Sequence, residues 1–137
     1  MHITVVETIS MGHRLPSYPG ICNSMHGHNV VVEATIDTMG TFIDFKDVSR
    51  HLRTIIQPMD HAMVLYEKDP MAMALRIALP TQRLVLLSVE PTTENIAAYV
   101  FRKLHDVFHV TEVTVHETAK YTATCTKLDD RVTAVEP

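Results

Sequence analysis

Two cysteines, Cys22 and Cys125, are all that this 137-residue chain carries, far too few for a small disulfide-stapled scaffold. No stretch approaches the roughly 18 to 20 consecutive apolar residues needed to cross a bilayer. The opening residues Met1-His2-Ile3-Thr4-Val5-Val6-Glu7 lack the basic start and apolar run of a signal peptide. The default compartment is therefore cytoplasmic, where a Cys22–Cys125 disulfide is disfavoured. Lys and Arg number 12 against 16 Asp and Glu, for a formal charge of −4, and they form no cluster. That argues against a nucleic-acid or anionic-membrane surface. It leaves room for a locally positive site facing a small anionic substrate. No internal repeat, low-complexity tract or linker interrupts the chain, and its length suits one domain, residues 1–137, with an ordinary core.

What is present alternates and then turns helical. Residues 2–11 read as a strand, and Pro16, Pro19 and Gly20 break the chain into a loop that carries Cys22. From His26 to Asp37, Val30, Val32, Ala34 and Ile36 share one face of a second strand. Gly40 marks a turn, after which Phe42-Ile43-Asp44-Phe45 reads as a brief strand. Val48, Leu52, Ile55 and Ile56 have helical spacing, which predicts an amphipathic helix over 46–57 ended by Pro58. Asp69-Pro70 is an N-cap and first helical position opening a short helix to about Ala78. Residues 84–89 predict a buried strand, and Pro91-Thr92-Thr93 opens a helix whose face carries Ile96, Ala97, Val100, Leu104 and Val107. Residues 110–118 alternate again, and 121–127 pair with them as a last hairpin. The order predicts an α+β fold, an antiparallel sheet with helices packed on one face.

Three imidazoles and a thiol lie within sixteen residues: His13, Cys22, His26 and His28. In a strand, residues i and i+2 share a face about 6.5 to 7 Å apart, so His26 and His28 can converge on one metal, with Gly27 keeping bulk away. A catalytic zinc takes three protein ligands and keeps a fourth position open, and His13 is the natural third. Cys22 sits in a loop and not in an apolar run. These residues alone leave it open between a fourth ligand, which would close the site, and a reactive thiol. Asp60-His61 follows Pro58 and, taken alone, is a weak signal that reads as a surface helix-exit pair. Glu117 shares a face with Val113 and Val115, so it needs a cation or a ligand with N–H groups if it is enclosed. Thr92, Thr93, Glu94 and Asn95 open a helix, where hydroxyls cap and N–H groups receive polar ligands. His2, His51, His105 and His109 read as surface residues, His116 as facing away from Glu117, and the methionines as core filler or an oligomer surface.

Taken in order, Gly12-His13-Arg14-Leu15-Pro16, Cys22-x3-His26-Gly27-His28, Phe42-Ile43-Asp44-Phe45, Met59-Asp60-His61, Pro91-Thr92-Thr93-Glu94-Asn95 and Val115-His116-Glu117-Thr118 resemble the 6-pyruvoyltetrahydropterin synthase / 6-carboxytetrahydropterin synthase family of the tunnelling fold. The three-residue gap after Cys22 is similar to the carboxy branch, which serves queuosine and other 7-deazaguanine pathways. The resemblance implies zinc on His13, His26 and His28, a catalytic triad of Cys22, Asp60 and His61, and Glu117 anchoring the pterin with Thr92 and Thr93 beside it. It implies conversion of 7,8-dihydroneopterin triphosphate to 6-carboxy-5,6,7,8-tetrahydropterin with loss of acetaldehyde and triphosphate. It also implies a homo-oligomeric ring, commonly a hexamer, with sites at subunit interfaces. The rivals are the pyruvoyl enzyme, which eliminates triphosphate and keeps the side chain, and a non-catalytic zinc- or pterin-binding module. The chain departs from the family pattern at Ile9-Ser10-Met11 before the first zinc histidine, at Val64-Leu65-Tyr66, and in a long link to Pro91.

Overall fold

A computed structural model describes residues 1–135. Two long strands form its centre. β1 (His2–His13) and β2 (His26–Asp37) pair antiparallel over their whole length, from His2 opposite Asp37 to His13 opposite His26. Alternation explains both: Val5, Ile9 and Met11 of β1 and Val30, Val32, Ala34 and Ile36 of β2 are buried on one face, while Thr4, Val6 and Thr8 are exposed on the other. β1 runs two residues beyond the predicted strand, and that extension carries His13 into the ladder.

The remaining elements follow as α1 (Phe45–Ile56), β3 (Ala62–Tyr66), α2 (Pro70–Ala78), β4 (Leu84–Leu87), α3 (Thr93–His105), β5 (Val110–His116), β6 (Thr122–Cys125) and β7 (Ala134–Val135). They complete a seven-stranded sheet ordered β6-β5-β2-β1-β3-β4-β7. The α+β class is as expected, and α1 and α3 cover one face. α1 buries Val48, Leu52 and Ile56, and α3 buries Ile96, Ala97, Val100, Phe101 and Leu104 against the inner valines. Val107 falls beyond the end of α3 and is exposed. A register shift between Thr35 and Ile36 lets Val110, Val113 and Val115 all face this core despite their uneven spacing.

Five departures from the sequence reading have physical causes. β3 was not predicted, because it is covered on both faces and so has no alternation: Val64 joins the main core while Leu65 joins a second cluster with Ala72, Leu75 and Leu86. That second cluster puts α2 on the opposite face from α1 and α3. β3 pairs parallel to β1 and to β4, so the sheet is antiparallel except at this end, where α2 and its flanking turns provide the crossover that a parallel β3–β4 pair requires. β7 is a two-residue strand pairing β4, too short to give a pattern. Phe42–Phe45 is not a strand. Asp44 accepts the Lys46 N–H and caps α1 instead, leaving Phe42 exposed.

Both cysteines are free thiols, and among the described residues no helix is long and apolar enough to cross a membrane. Leu104, fully buried between α3 and the sheet, tests the packing that holds this helix. Leu104→Ala is expected to lower unfolding free energy by about 2–5 kcal/mol in urea titrations, and a loss below about 1 kcal/mol would contradict its place in the core.

Candidate functional site

The site forms where β1 ends and β2 begins. Register places His13 directly opposite His26, and Met11 opposite His28. The three imidazoles share the parity of the buried valines, so they lie on the helix-covered face at its open end. Their ligand-capable atoms all lie within 4.8 Å of one another, and the ring planes meet edge to face at centroid separations of 4.6 to 5.3 Å. Gly12 and Gly27 sit opposite each other on the reverse face. A Cβ on Gly27 would stand 3.1 Å from the Met11 carbonyl oxygen, and one on Gly12 would run into the Met63 sulfur. Glycine at position 27 is what lets the two strands close beneath the histidines, whereas at Gly12 the obstacle is the movable end of the Met63 side chain.

The chemistry of the donor set fits a metal. His13 Nδ1 donates to the Pro91 carbonyl at 2.8 Å and His26 Nδ1 to the Ser24 carbonyl at 2.7 Å. Each bond fixes the tautomer and turns a bare Nε2 toward the centre. The two Nε2 atoms then face each other at 3.0 Å, an arrangement of two lone pairs that a shared cation relieves. Zinc ligands about 2.0–2.1 Å from a tetrahedral ion stand only a little farther apart, at about 3.3 Å. His28 Nε2 is buried with no hydrogen-bond partner. Burial is the main cause that pushes the His13 pKa below the usual 6.5, outweighing the Pro91 hydrogen bond that would raise it. His13 is only 2% exposed and neutral at pH 7, the form a metal needs.

Glu117 stands just beyond β5 and faces the cluster, with Oε1 3.6 Å from His28 Nε2 and Oε2 4.0 Å from His13 Nε2. Thr93, the first residue of α3, donates its hydroxyl to Glu117 Oε2 at 2.6 Å. Thr92 does something different: its hydroxyl accepts the Asn95 N–H and caps α3. The two threonines are thus split between a carboxylate contact and a helix cap.

Cys22 lies in a 3₁₀ turn, Ile21–Asn23, half-buried and without a side-chain hydrogen bond. It is not part of the histidine group, so the four-ligand alternative finds no geometry here. Asp60 and His61 follow a second 3₁₀ turn, Gln57–Met59. Asp60 Oδ1 accepts the Ser10 N–H at 2.9 Å and lies 3.1 Å from His61 Nδ1. The Ser10 hydrogen bond, then His61, hold the Asp60 pKa below its usual 3.8. His61 is exposed and lines a recess of about 580 Å³ together with Ser10, Met25, His26, His28, Asn29 and Met63. Neither Cys22 nor Glu117 lines that recess. One chain therefore brings together the histidines, Glu117 and Thr93, while among the described residues no hydrogen bond joins Cys22 to the Asp60–His61 pair and Cys22 does not line the recess that His61 borders.

Residues 2–127 match the family model described as 6-pyruvoyl tetrahydropterin synthase. The chain belongs to this family. A probable 6-carboxy-5,6,7,8-tetrahydropterin synthase of Halobacterium salinarum is 34% identical over 119 residues, spanning 84% of this chain and 79% of the relative. A 6-carboxy-5,6,7,8-tetrahydropterin synthase of Rickettsia conorii is 33% identical over 122 residues, 78% of this chain and 86% of the relative. Among solved structures, an uncharacterised protein of Wolinella succinogenes has a TM-score of 0.74 at 20% identity, covering 92% of this chain and 98% of that one. The 6-pyruvoyl tetrahydropterin synthase of Caenorhabditis elegans has 0.67 at 24%, covering 93% and 95%. These structural likenesses show a shared fold.

Some residues that organise the site carry no role in the sequence reading. Arg14 lies inside a family-like motif without an assignment, Asp69 reads only as a helix cap, and Ser10 and Arg83 give no signal, since each acts through a partner dozens of residues away. The His13 environment sets a pH dependence. Its folded pKa lies below the unfolded 6.5, so below that pH the unfolded chain binds more protons and acid favours unfolding. Chelator-treated protein is expected to lose stability in urea as pH falls from about 6.5 toward 5, and His13→Gln to flatten that decline; an unchanged slope would contradict the buried neutral imidazole.

Proposed function

We propose that this protein is a zinc-dependent 6-carboxytetrahydropterin synthase, converting 7,8-dihydroneopterin triphosphate and one water to 6-carboxy-5,6,7,8-tetrahydropterin with release of acetaldehyde and triphosphate, in 7-deazaguanine (queuosine) biosynthesis. The observation that carries the reading is the meeting of three imidazoles with Glu117 and Thr93 at the start of α3. The names of the Halobacterium and Rickettsia relatives favour the carboxy branch, as does the three-residue gap between Cys22 and His26.

In this reading His13, His26 and His28 would hold the zinc, which supplies Lewis acidity toward the side-chain hydroxyls of the substrate. Glu117 accepts paired hydrogen bonds from the guanidine-like edge of the pterin, and the Thr93 hydroxyl keeps its carboxylate turned to receive them. Thr92 stands beside the pterin chiefly as the N-cap that starts α3 there. Cys22, as thiolate, moves a proton at the side-chain carbons. His61 relays or donates protons, and Asp60, kept ionised by the Ser10 N–H, orients its imidazole. Triphosphate and acetaldehyde then leave.

That Cys22 neither hydrogen-bonds Asp60 or His61 nor lines the recess beside His61 supports a homo-oligomer, a hexameric ring in the family pattern, whose interfaces complete the site. The exposed Met25, Tyr18 and Ile21 around the Cys22 loop suit such an interface. Subunit mixing tests this directly. Cys22→Ala and His61→Ala proteins are each expected to be inactive, and co-assembly to restore part of the turnover; persistently dead mixtures would count against shared sites.

Product analysis tests the reaction. Zinc-loaded protein given dihydroneopterin triphosphate is expected to release acetaldehyde with triphosphate and leave a 6-carboxy product by mass. Triphosphate without acetaldehyde would assign the pyruvoyl reaction instead, and no turnover with zinc bound would favour a binding module. Cys22→Ala is expected to lose turnover on the order of 10²–10⁴-fold while keeping its metal, whereas His13→Ala loses the metal.

A further inference from the structure

The long link between Tyr66 and Pro91 has no part in the chemistry above, yet both its ends touch the elements that carry it. At one end Asp69 has a fully enclosed side chain and pairs with Arg14, Nε to Oδ2 at 2.7 Å and Nη2 to Oδ1 at 3.0 Å. Its Oδ1 also accepts the Met71 N–H at 2.9 Å and so caps α2. Arg14 immediately follows His13, and its Nη1 donates to the Asn23 carbonyl at 3.3 Å, one residue beyond Cys22. The same loop is closed by Leu15 N–H to the Cys22 carbonyl at 2.8 Å and by Asn23 Nδ2 to the Pro16 carbonyl at 3.0 Å.

At the other end Arg83 reaches back with Nε to the Asp60 carbonyl at 3.1 Å and Nη2 to the Gln57 carbonyl at 3.0 Å. This fastens the turn that presents His61, a non-glycine residue at φ 55°. Such a conformation persists only where neighbours over-determine it, and here the His61 N–H to the Ser10 carbonyl at 2.6 Å completes the set. A buried ion pair contributes little net stability compared with an apolar pair of like volume. A bidentate pair that also grips a loop carbonyl does fix geometry.

We propose that the segment from Asp69 to Arg83 is a positioning brace: Asp69, through Arg14, sets the loop that bears Cys22, and Arg83 sets the Asp60–His61 turn. The inference rests on the proton-transfer roles proposed above for those three residues. Asp69, Arg14 and Arg83 act through others and are positioning residues.

The test uses the full zinc-loaded chain and three variants. Asp69→Asn keeps a good helix cap while removing the charge. The double variant Arg14→Met with Asp69→Asn leaves no unpaired buried charge, so it keeps the test open should the single one fail to fold. Arg83→Met alters an exposed side chain. Iodoacetamide labelling of Cys22, scored by mass against Cys125 on distant β6, reports the loop without any substrate. Both Asp69 variants are expected to raise the Cys22-to-Cys125 labelling ratio about threefold or more and to lower kcat about tenfold, with KM within about twofold and zinc content unchanged. Arg83→Met should leave that ratio at the wild-type value, speed amide exchange at Asp60 and His61, and lower kcat with KM unchanged. Wild-type labelling and kcat in the folded double variant overturn the Asp69 half, and wild-type exchange and kcat in Arg83→Met overturn the other. Labelling and exchange need no substrate, so a wild-type protein without turnover counts against the proposed function alone.

Discussion

The register between β1 and β2 is the constraint on which the remaining structure depends. Twelve residues pair with twelve, from His2 opposite Asp37 to His13 opposite His26. Side chains alternate with a period of two, so a slip of one residue would turn Val30, Val32, Ala34 and Ile36 out of the core and carry His26 and His28 to the other face with them. The apolar residues that make the slip costly are therefore the ones that aim the histidines. Packing along the strands enforces the geometry at their ends, and Gly27 allows the close approach to the Met11 carbonyl there.

What gathers around that end follows from the cost of burying polar groups. Imidazoles facing one another at 3.0 Å cannot all be satisfied by each other, and the backbone carbonyls of Pro91 and Ser24 decide which nitrogen each presents. Pro91 precedes α3, so the apolar face that docks this helix on the sheet also delivers the carbonyl to His13 and the Thr93 hydroxyl to Glu117. The first turn of α3 is thus tied to the histidine cluster twice. Burial keeps His13 neutral, and a neutral ring with a fixed tautomer is what a metal requires.

The Arg14–Asp69 pair and the Arg83 contacts belong to a different level. They join residues 55 and 23 positions apart, and nothing in local periodicity or turn chemistry marks such partners. Asp69 is legible as a cap, which it is, while its second role needs the fold that brings Arg14 to it. The same holds for β3: with α2 on one side and the main core on the other, its continuous apolar run could not reveal on which face it lies, nor that its neighbours would be parallel.

From sequence alone came the α+β class, the two long strands, the three helices within about two residues of their ends, and the histidines, Cys22, Asp60–His61 and Glu117 as candidates for the chemistry. Those are legible because alternation, helical spacing and caps are local, and because ordered motifs survive as spacings. The tertiary structure alone decided that His13 joins β1 and meets His26 across the ladder, that Thr92 caps while Thr93 contacts Glu117, that α2 lies on the opposite face, and that Cys22 does not line the recess His61 borders. Each depends on contacts between residues far apart in sequence, where burial and hydrogen-bond satisfaction are settled by the whole fold and by no single stretch of it.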